Sequence, residues 1–214
     1  MAIFTQTLYA SKKLQNIMSR YIVKYLNHIK IICPELTTIE LKKFSDGLTV
    51  SHFNKNDLYI TSGSIQNQGG FIVEGLIRAY HTDDLGNEKN IYFKTENEYT
   101  FHYTSFMDKK PSPLSFQCLE PSIIVSFQVD HIRKVFNEIP NFDKYGRIIS
   151  EQRLRVQQER LESLLYHNSE QRYIDFINQY PQLFNRITIS QLSSYLGVER
   201  QTLTRIRKKI ALKK

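Results

Sequence analysis

Tryptophan is absent from this sequence, and its 214 residues include only two cysteines, six prolines and eight glycines. Cys33 and Cys118 lie far apart, in no Cys-x-x-Cys or Cys/His spacing. One chain therefore cannot ligate a four-thiolate iron–sulfur cluster or assemble a zinc site around them, and both read as reduced, buried thiols. So little glycine and proline excludes a collagen-like or proline-rich filament. No apolar run approaches the ~18–20 residues of a membrane helix. Met1 to Ala10 shows no basic stretch followed by an apolar one, so no secretory leader is read and the cytoplasm is the expected location. What is present is a hydrophobic share of 41%, with 13 Phe and 13 Tyr, which excludes a disordered chain. At ~100–200 residues per domain the chain accommodates one large or two small domains.

Acidic charge falls well short of basic charge in one region only. Residues 1–140 carry 15 basic and 14 acidic groups, whereas residues 141–214 carry 14 and 7, and the net charge of +8 comes almost wholly from the latter. A basic segment after a neutral one suggests a domain that meets a polyanion.

Apolar residues from Leu14 to Ile32 recur at helical spacing until Pro34, and a short helix is expected from Thr38 to Phe44, capped by Thr37 or Thr38. From Leu48 to Phe127 the pattern becomes seven short β-rich runs: Leu48–Phe53, Leu58–Thr61, Gly70–Val73, Leu76–Tyr80, Asn90–Phe93, Leu114–Cys118 and Ile123–Phe127. Turns at Asn54–Asp57 and Asp83–Asn87 separate some of them, which predicts an antiparallel sandwich or roll. Asp130 is expected to cap a helix ending near Pro140. A long helix then runs from Asn141 to Tyr166 with two apolar stripes, one of Phe142, Tyr145, Ile149 and Val156, the other of Leu154, Leu161, Leu164 and Leu165. One stripe more than its own domain needs predicts a twofold homodimer, with Ile149, Val156, Leu161 and Leu165 as its interface.

Three short helices follow. Asn168 with Gln171 predicts a capping box for Arg172–Tyr180, and Thr188 with Gln191 a second box, for a helix that Gly197 ends. The last helix, Arg200–Ile210, places Leu203, Ile206 and Ile210 on one face and its Arg and Lys residues largely off it. A short helix, a glycine turn and a basic helix form a helix-turn-helix. Arg200, Gln201, Thr204 and Arg205 project outward, where Arg suits guanine and Gln suits adenine, while Thr202 and the helix start suit phosphate. The DNA-contacting set is read as Thr188, Ser190, Arg200, Gln201, Thr202, Thr204, Arg205, Lys208 and Lys209.

The order of β-roll, long helix and helix-turn-helix resembles the Crp/Fnr family of bacterial transcription regulators. The segment Ile187–Arg207 resembles that family's reading head, and Gly75-Leu-Ile-Arg-Ala-Tyr80 followed by Gly86 resembles its sensor domain. The resemblance spans about Ile22 to Lys209, and Glu170–Ile177 with Tyr180-Pro181 resembles the Bacteroidetes branch. It implies an α+β fold: a cyclic-nucleotide-binding-like jelly-roll sensor over 1–140, a dimerisation helix over 141–167 and a DNA-binding domain over 168–214. It also implies a palindromic duplex operator and RNA polymerase as partners, with no membrane. Arg200 and Arg205 match the family's two reading arginines, whereas Gln201 replaces its Glu. With the sequence reaching Lys214 soon after the last helix, the β-hairpin wing that often follows in the family is expected to be truncated or absent.

The sensor departs further from that pattern. Phe101-His102 and Ser112-Pro113 stand where the family's nucleotide binders carry Gly-Glu and Arg-Ser or Arg-Thr, so the ribose carboxylate and the phosphate cation are both missing. Lys109 and Lys110 are nearby and read as exposed loop. No cyclic-AMP response, cofactor or metal is expected. Tyr99, Phe101, His102, Tyr103 and Phe116, with Phe106, read either as the lining of an apolar effector pocket or as the core of the roll. His102 reads as hydrogen-bonded, with haem ligation the less favoured alternative. A metal-dependent cupin-like enzyme would need converging histidines, but His28, His52, His81, His102, His131 and His167 are scattered with no His-x-His pair. A protein- or RNA-interaction module with a basic tail is the remaining alternative.

Overall fold

The computed structural model describes residues 19–212. Helix α1 occupies 19–32 of these, and Tyr21, Tyr25 and Ile29 on one face are buried. Leu14, Ile17 and Met18 of the expected helix lie outside the described residues. Helix α2, Thr38–Ser45, opens with a reciprocal capping box in which the Glu40 amide donates to Thr37 Oγ1 at 3.2 Å and the Thr37 amide to Glu40 Oε2 at 2.6 Å.

Eight strands follow: β1 Leu48–Phe53, β2 Leu58–Ile60, β3 Gln68–Glu74, β4 Ile77–Thr82, β5 Glu88–Lys94, β6 Tyr99–Thr100, β7 Ser115–Cys118 and β8 Ser122–Gln128. They form two four-stranded antiparallel sheets, ordered β1-β8-β3-β6 and β2-β7-β4-β5. The two-residue β6 is too short to show alternation and was not legible in the sequence. The same holds for the six-residue helix α3, Tyr103–Asp108.

Alternation along the strands builds two cores. Ile72 and Ile124 join Tyr59, Ile77 and Phe116 in the cluster between the sheets. Phe71, Val73, Val125 and Phe127 point to the opposite face of the first sheet and pack under the helices.

One expectation for the next segment is corrected. Helix α4, Val129–Glu138, has Gln128 at its N-cap, and Asp130 sits within the first turn, where it pairs with Lys109 rather than capping. Helix α4 does end near Pro140, at Glu138, and Pro140 itself opens α5, Pro140–Tyr166, where its missing N–H leaves no helix bond unmade. The 27 residues of α5 span about 40 Å. Gly146 lets α4 cross closely, since a Cβ there would lie 2.6 Å from Phe136 Cε2.

Helix α6, Ser169–Gln179, starts three residues earlier than expected, because Asn168 is its true cap and accepts from the Gln171 amide at 2.9 Å. The Gln171 side chain turns to Asp175 instead, so the box is only half made. Helices α7, Ile189–Leu196, and α8, Arg200–Ala211, complete the chain. Among the described residues no helix is long and apolar enough to cross a membrane.

Candidate nucleic-acid interface

Helix α7 begins where Thr188 and Gln191 cap each other, at 3.1 and 2.8 Å. It ends at Gly197, whose φ of +64° is the left-handed turn that a side chain disfavours. Leu192, Leu196, Leu203 and Ile206 are buried between α7 and α8, which fixes the outward face of α8. Arg200, Gln201, Arg205, Lys208 and Lys209 are exposed on that helix, as are Thr188 and Ser190 at the start of α7.

The two threonines of α8 are half-buried. Thr204 Oγ1 donates to the Arg200 carbonyl at 3.0 Å, and Thr202 Oγ1 accepts from Arg205 at 3.4 Å. Glu199 at the N-cap makes no side-chain cap bond, so the first-turn amides of α8 stay available to an anion. Lys209 pairs with Glu170 at 2.5 Å, and Arg207 lies over the Phe184 ring at 5.1 Å. Those two cations are therefore partly spent within the chain.

The helix-turn-helix is anchored to the roll through contacts the sequence did not reveal. The Asn90 amide donates to Ser194 Oγ at 2.9 Å, its side-chain amide donates to the Gln191 carbonyl at 3.1 Å, and Ser194 Oγ donates to the Glu88 carbonyl at 3.1 Å. Leu76, Phe93 and Leu119 of the roll share one apolar cluster with Tyr195 and Leu196. Beside it the Arg186 guanidinium donates to both oxygens of Glu96, at 3.0 and 2.9 Å, and also to Glu120. The two carboxylates hold the Arg186 pKa above its ordinary value. Burial pushes the Glu96 carboxyl up, but the hydrogen bonds and charge of Arg186 together with bonds from backbone amides, including that of Gly75, outweigh it and the net displacement is downward.

Arg186→Met is expected to cost about 1–3 kcal/mol at pH 7, since each carboxylate is about a third exposed and the pair is not fully desolvated. A lowered carboxylate pKa contributes stability above the unfolded value, near pH 4.3, that is lost as pH falls through the folded value. The gap between wild type and variant in urea midpoint should therefore narrow below about pH 4. A gap unchanged from pH 7 to pH 3.5 would show that the clasp carries no such charge dependence.

The long helix divides along its length. Phe142 and Tyr145 are buried, and Ile149 packs on the helix-side core of its own chain. Farther along, Leu154, Leu161 and Leu165 are 65%, 57% and 66% exposed, with Val156 and Leu164 half-exposed. Of the four residues expected at a dimer interface, Val156, Leu161 and Leu165 are thus solvent-facing and Ile149 is already engaged.

No protein-family model matches the sequence, and no curated protein does. Solved structures are similar over most of the chain. FixK2 from Bradyrhizobium japonicum superposes with a TM-score of 0.68 at 12% identity, covering 78% of this chain and 85% of that one. The c-di-GMP-responsive global regulator CLP of Xanthomonas campestris gives 0.66 at 11% identity, covering 83% and 93%. A structure from Eubacterium rectale assigned to the Crp/Fnr family gives 0.65 at 16% identity, covering 84% and 86%. The fold is that of the Crp/Fnr regulators.

Within the Crp/Fnr fold the residues expected to line an effector pocket occupy separate places. Ser112 is buried, and its hydroxyl donates to the Leu114 carbonyl at 2.7 Å and accepts from the Leu114 amide at 3.2 Å, so it is spent on its own loop. Lys110 pairs with Asp108, as Lys109 does with Asp130. Tyr99, Phe101 and Tyr103 come together around a cavity on the helix side of the first sheet. Phe116 lies in the cluster between the sheets, away from them, because β7 belongs to the second sheet and turns this ring inward. His102 Nδ1 lies 2.8 Å from Ser105 Oγ, and burial followed by the nearby Arg153 charge lowers its pKa. Arg153 itself stacks over Phe101 at 4.7 Å and donates to the Phe101 carbonyl at 3.0 Å. Among the described residues no three His, Cys, Asp or Glu side chains converge on a point where a metal ion would sit.

Proposed function

We propose that this protein is a homodimeric, sequence-specific DNA-binding transcription regulator that acts with RNA polymerase and does not respond to cyclic AMP. The observation that carries the reading is the exposed Arg200, Gln201 and Arg205 face of α8, held by the Thr188–Gln191 box and the Gly197 turn. Arg offers guanine two parallel hydrogen bonds and Gln offers adenine two. Lys208 and Lys209 extend the positive face toward phosphates. A dimer built on Val156, Leu161 and Leu165 sets two such helices against one duplex, which requires half-sites about 34–36 Å apart.

Selection from random duplexes tests this. A palindromic site with that spacing, bound far more tightly than single strands at equal salt, is the expected result. Preference for single strands would favour an RNA-interaction module and sink the proposal.

Cyclic AMP is expected to show no micromolar binding in calorimetry. Its phosphate would face Ser112 and Pro113 with no cation, forgoing a charge-assisted bond of about 1.5–3 kcal/mol, or ~10- to 150-fold in affinity. Micromolar binding would refute this part of the reading and leave the DNA-binding part standing.

A further inference from the structure

The cavity that gathers Tyr99, Phe101 and Tyr103 has a volume of about 360 Å³, within the size range of small-molecule sites. It is bounded by the helix-side face of the first sheet and by α1, α2, α3, α4 and α5, and rings such as Phe106, Phe127 and Phe136 form much of its wall. It is therefore separate from the space between the two sheets, which Tyr59, Phe116, Ile72 and Ile124 occupy. Among the described residues its charged lining groups are Asp143 and Arg147, both exposed, and Arg147 lies 3.4 Å from Glu151. The interior thus offers a charged ligand nothing to replace its water, and it favours a neutral one.

Three of its four lining phenols are linked to one another and supply the interior's polar chemistry, the fourth, Tyr103, being half-exposed. Tyr25, Tyr99 and Tyr145 all line the cavity. The Tyr99 hydroxyl donates to the Tyr25 hydroxyl at 3.2 Å, and Tyr99 and Tyr145 share a second, shorter bond. Among the described residues these hydroxyls make no other hydrogen bond. Three protons then serve two bonds, so one O–H has no acceptor whichever way the shared bond runs. With Tyr99 donating to Tyr25 and Tyr145 to Tyr99, the spare proton belongs to Tyr25. A buried donor without an acceptor is costly, and a guest that supplies one recovers that cost. Burial raises the pKa of all three phenols, so they remain protonated donors through the physiological range.

We propose that this cavity binds a neutral aromatic small molecule carrying a single carbonyl-type acceptor, with the ring among the phenylalanines and the acceptor on the tyrosine cluster. The site does not depend on the DNA-binding reading, and its test needs no DNA.

Benzophenone is a suitable probe, and diphenylmethane, of nearly the same shape but with CH₂ in place of C=O, is its control. Calorimetry on the full chain is expected to give one site, with benzophenone tighter by about 2- to 10-fold, the net worth of one hydrogen bond. Irradiating bound benzophenone should label residues 101–107 or 142–150. The combined variant Tyr25→Phe, Tyr99→Phe, Tyr145→Phe removes every donor of the linked phenol cluster, leaving only the half-exposed Tyr103, and should bring the two affinities together at unchanged stoichiometry. A single substitution is uninformative, because two remaining phenols still leave a proton to spare. Equal affinities in the wild type, no binding of either molecule, or labelling elsewhere on the chain would each overturn the proposal. If the triple variant fails to fold, the wild-type affinity ratio and the labelled segment decide the matter alone.

Discussion

Replacing Leu161 and Leu165 together with glutamate is expected to convert the protein from dimer to monomer and to abolish operator binding. Both side chains are more than half exposed within one chain, so the fold does not need them and the variant should keep its helical content. In a twofold dimer each leucine occurs twice. Fully burying a leucine is worth about 1.5–3 kcal/mol, and these side chains begin partly covered. Their four copies therefore contribute on the order of 4–8 kcal/mol, and the introduced carboxylates add like-charge repulsion across the axis. That range corresponds to roughly a 10³- to 10⁶-fold weaker association. Sedimentation at tens of micromolar measures it. A wild-type monomer at that concentration, or a variant that remains dimeric, would show that the exposed stripe on α5 has another purpose. Ile149 serves as the internal comparison: since it packs on the core of its own chain, Ile149→Ala should lower stability rather than release protomers.

Arg200→Ala is expected to cost about 1–3 kcal/mol at each half-site, the discrimination a bidentate arginine gives against the wrong base. Both half-sites lose it at once, so a selected duplex should bind about 30- to 10⁴-fold more weakly, and preference at one base pair per half-site should relax. Lys208→Ala should act differently, weakening specific and non-specific duplexes alike and flattening the dependence of affinity on salt. Gln201→Glu gives the most diagnostic result. Glutamate accepts from cytosine N4 where glutamine pairs with adenine, so the selected site should move toward a C·G pair at one position with fold and dimerisation unchanged. Anisotropy titrations at fixed salt and a repeated site selection read all three. If Gln201→Glu leaves the selected site as it was, Gln201 does not face the bases and α8 meets the groove in a different rotation.

The helix-turn-helix was legible because its signals are local. A cap box needs only Thr188 and Gln191 three residues apart, a left-handed turn needs only Gly197, and the buried face of α8 follows from the spacing of Leu203 and Ile206. The antiparallel roll was legible as a class for the same reason, from short alternating strands between turn residues, although β6 and α3 are too short to carry a period. Local cues failed where two of them compete within a few residues. Asp130 resembles a cap but is the second residue of α4, because Gln128 holds the cap position; the end near Pro140 was legible, with α4 stopping at Glu138, although the same proline also opens α5. Asn168 was identified as a cap, yet whether Gln171 would reciprocate depended on Asp175, one turn farther along.

By itself, then, the sequence determined the α+β class, the long helix and the helix-turn-helix with its basic face. These depend on the identity and spacing of near neighbours in the chain. The tertiary structure alone decided which face of which sheet each ring occupies, parting Phe116 from Tyr99 and Phe101. It also brought Arg186 to Glu96 and Glu120, and Tyr25 to Tyr99 and Tyr145. Such partners are separated by tens of residues, and no periodicity encodes who meets whom across that distance, because contact there is set by how sheets and helices close on one another.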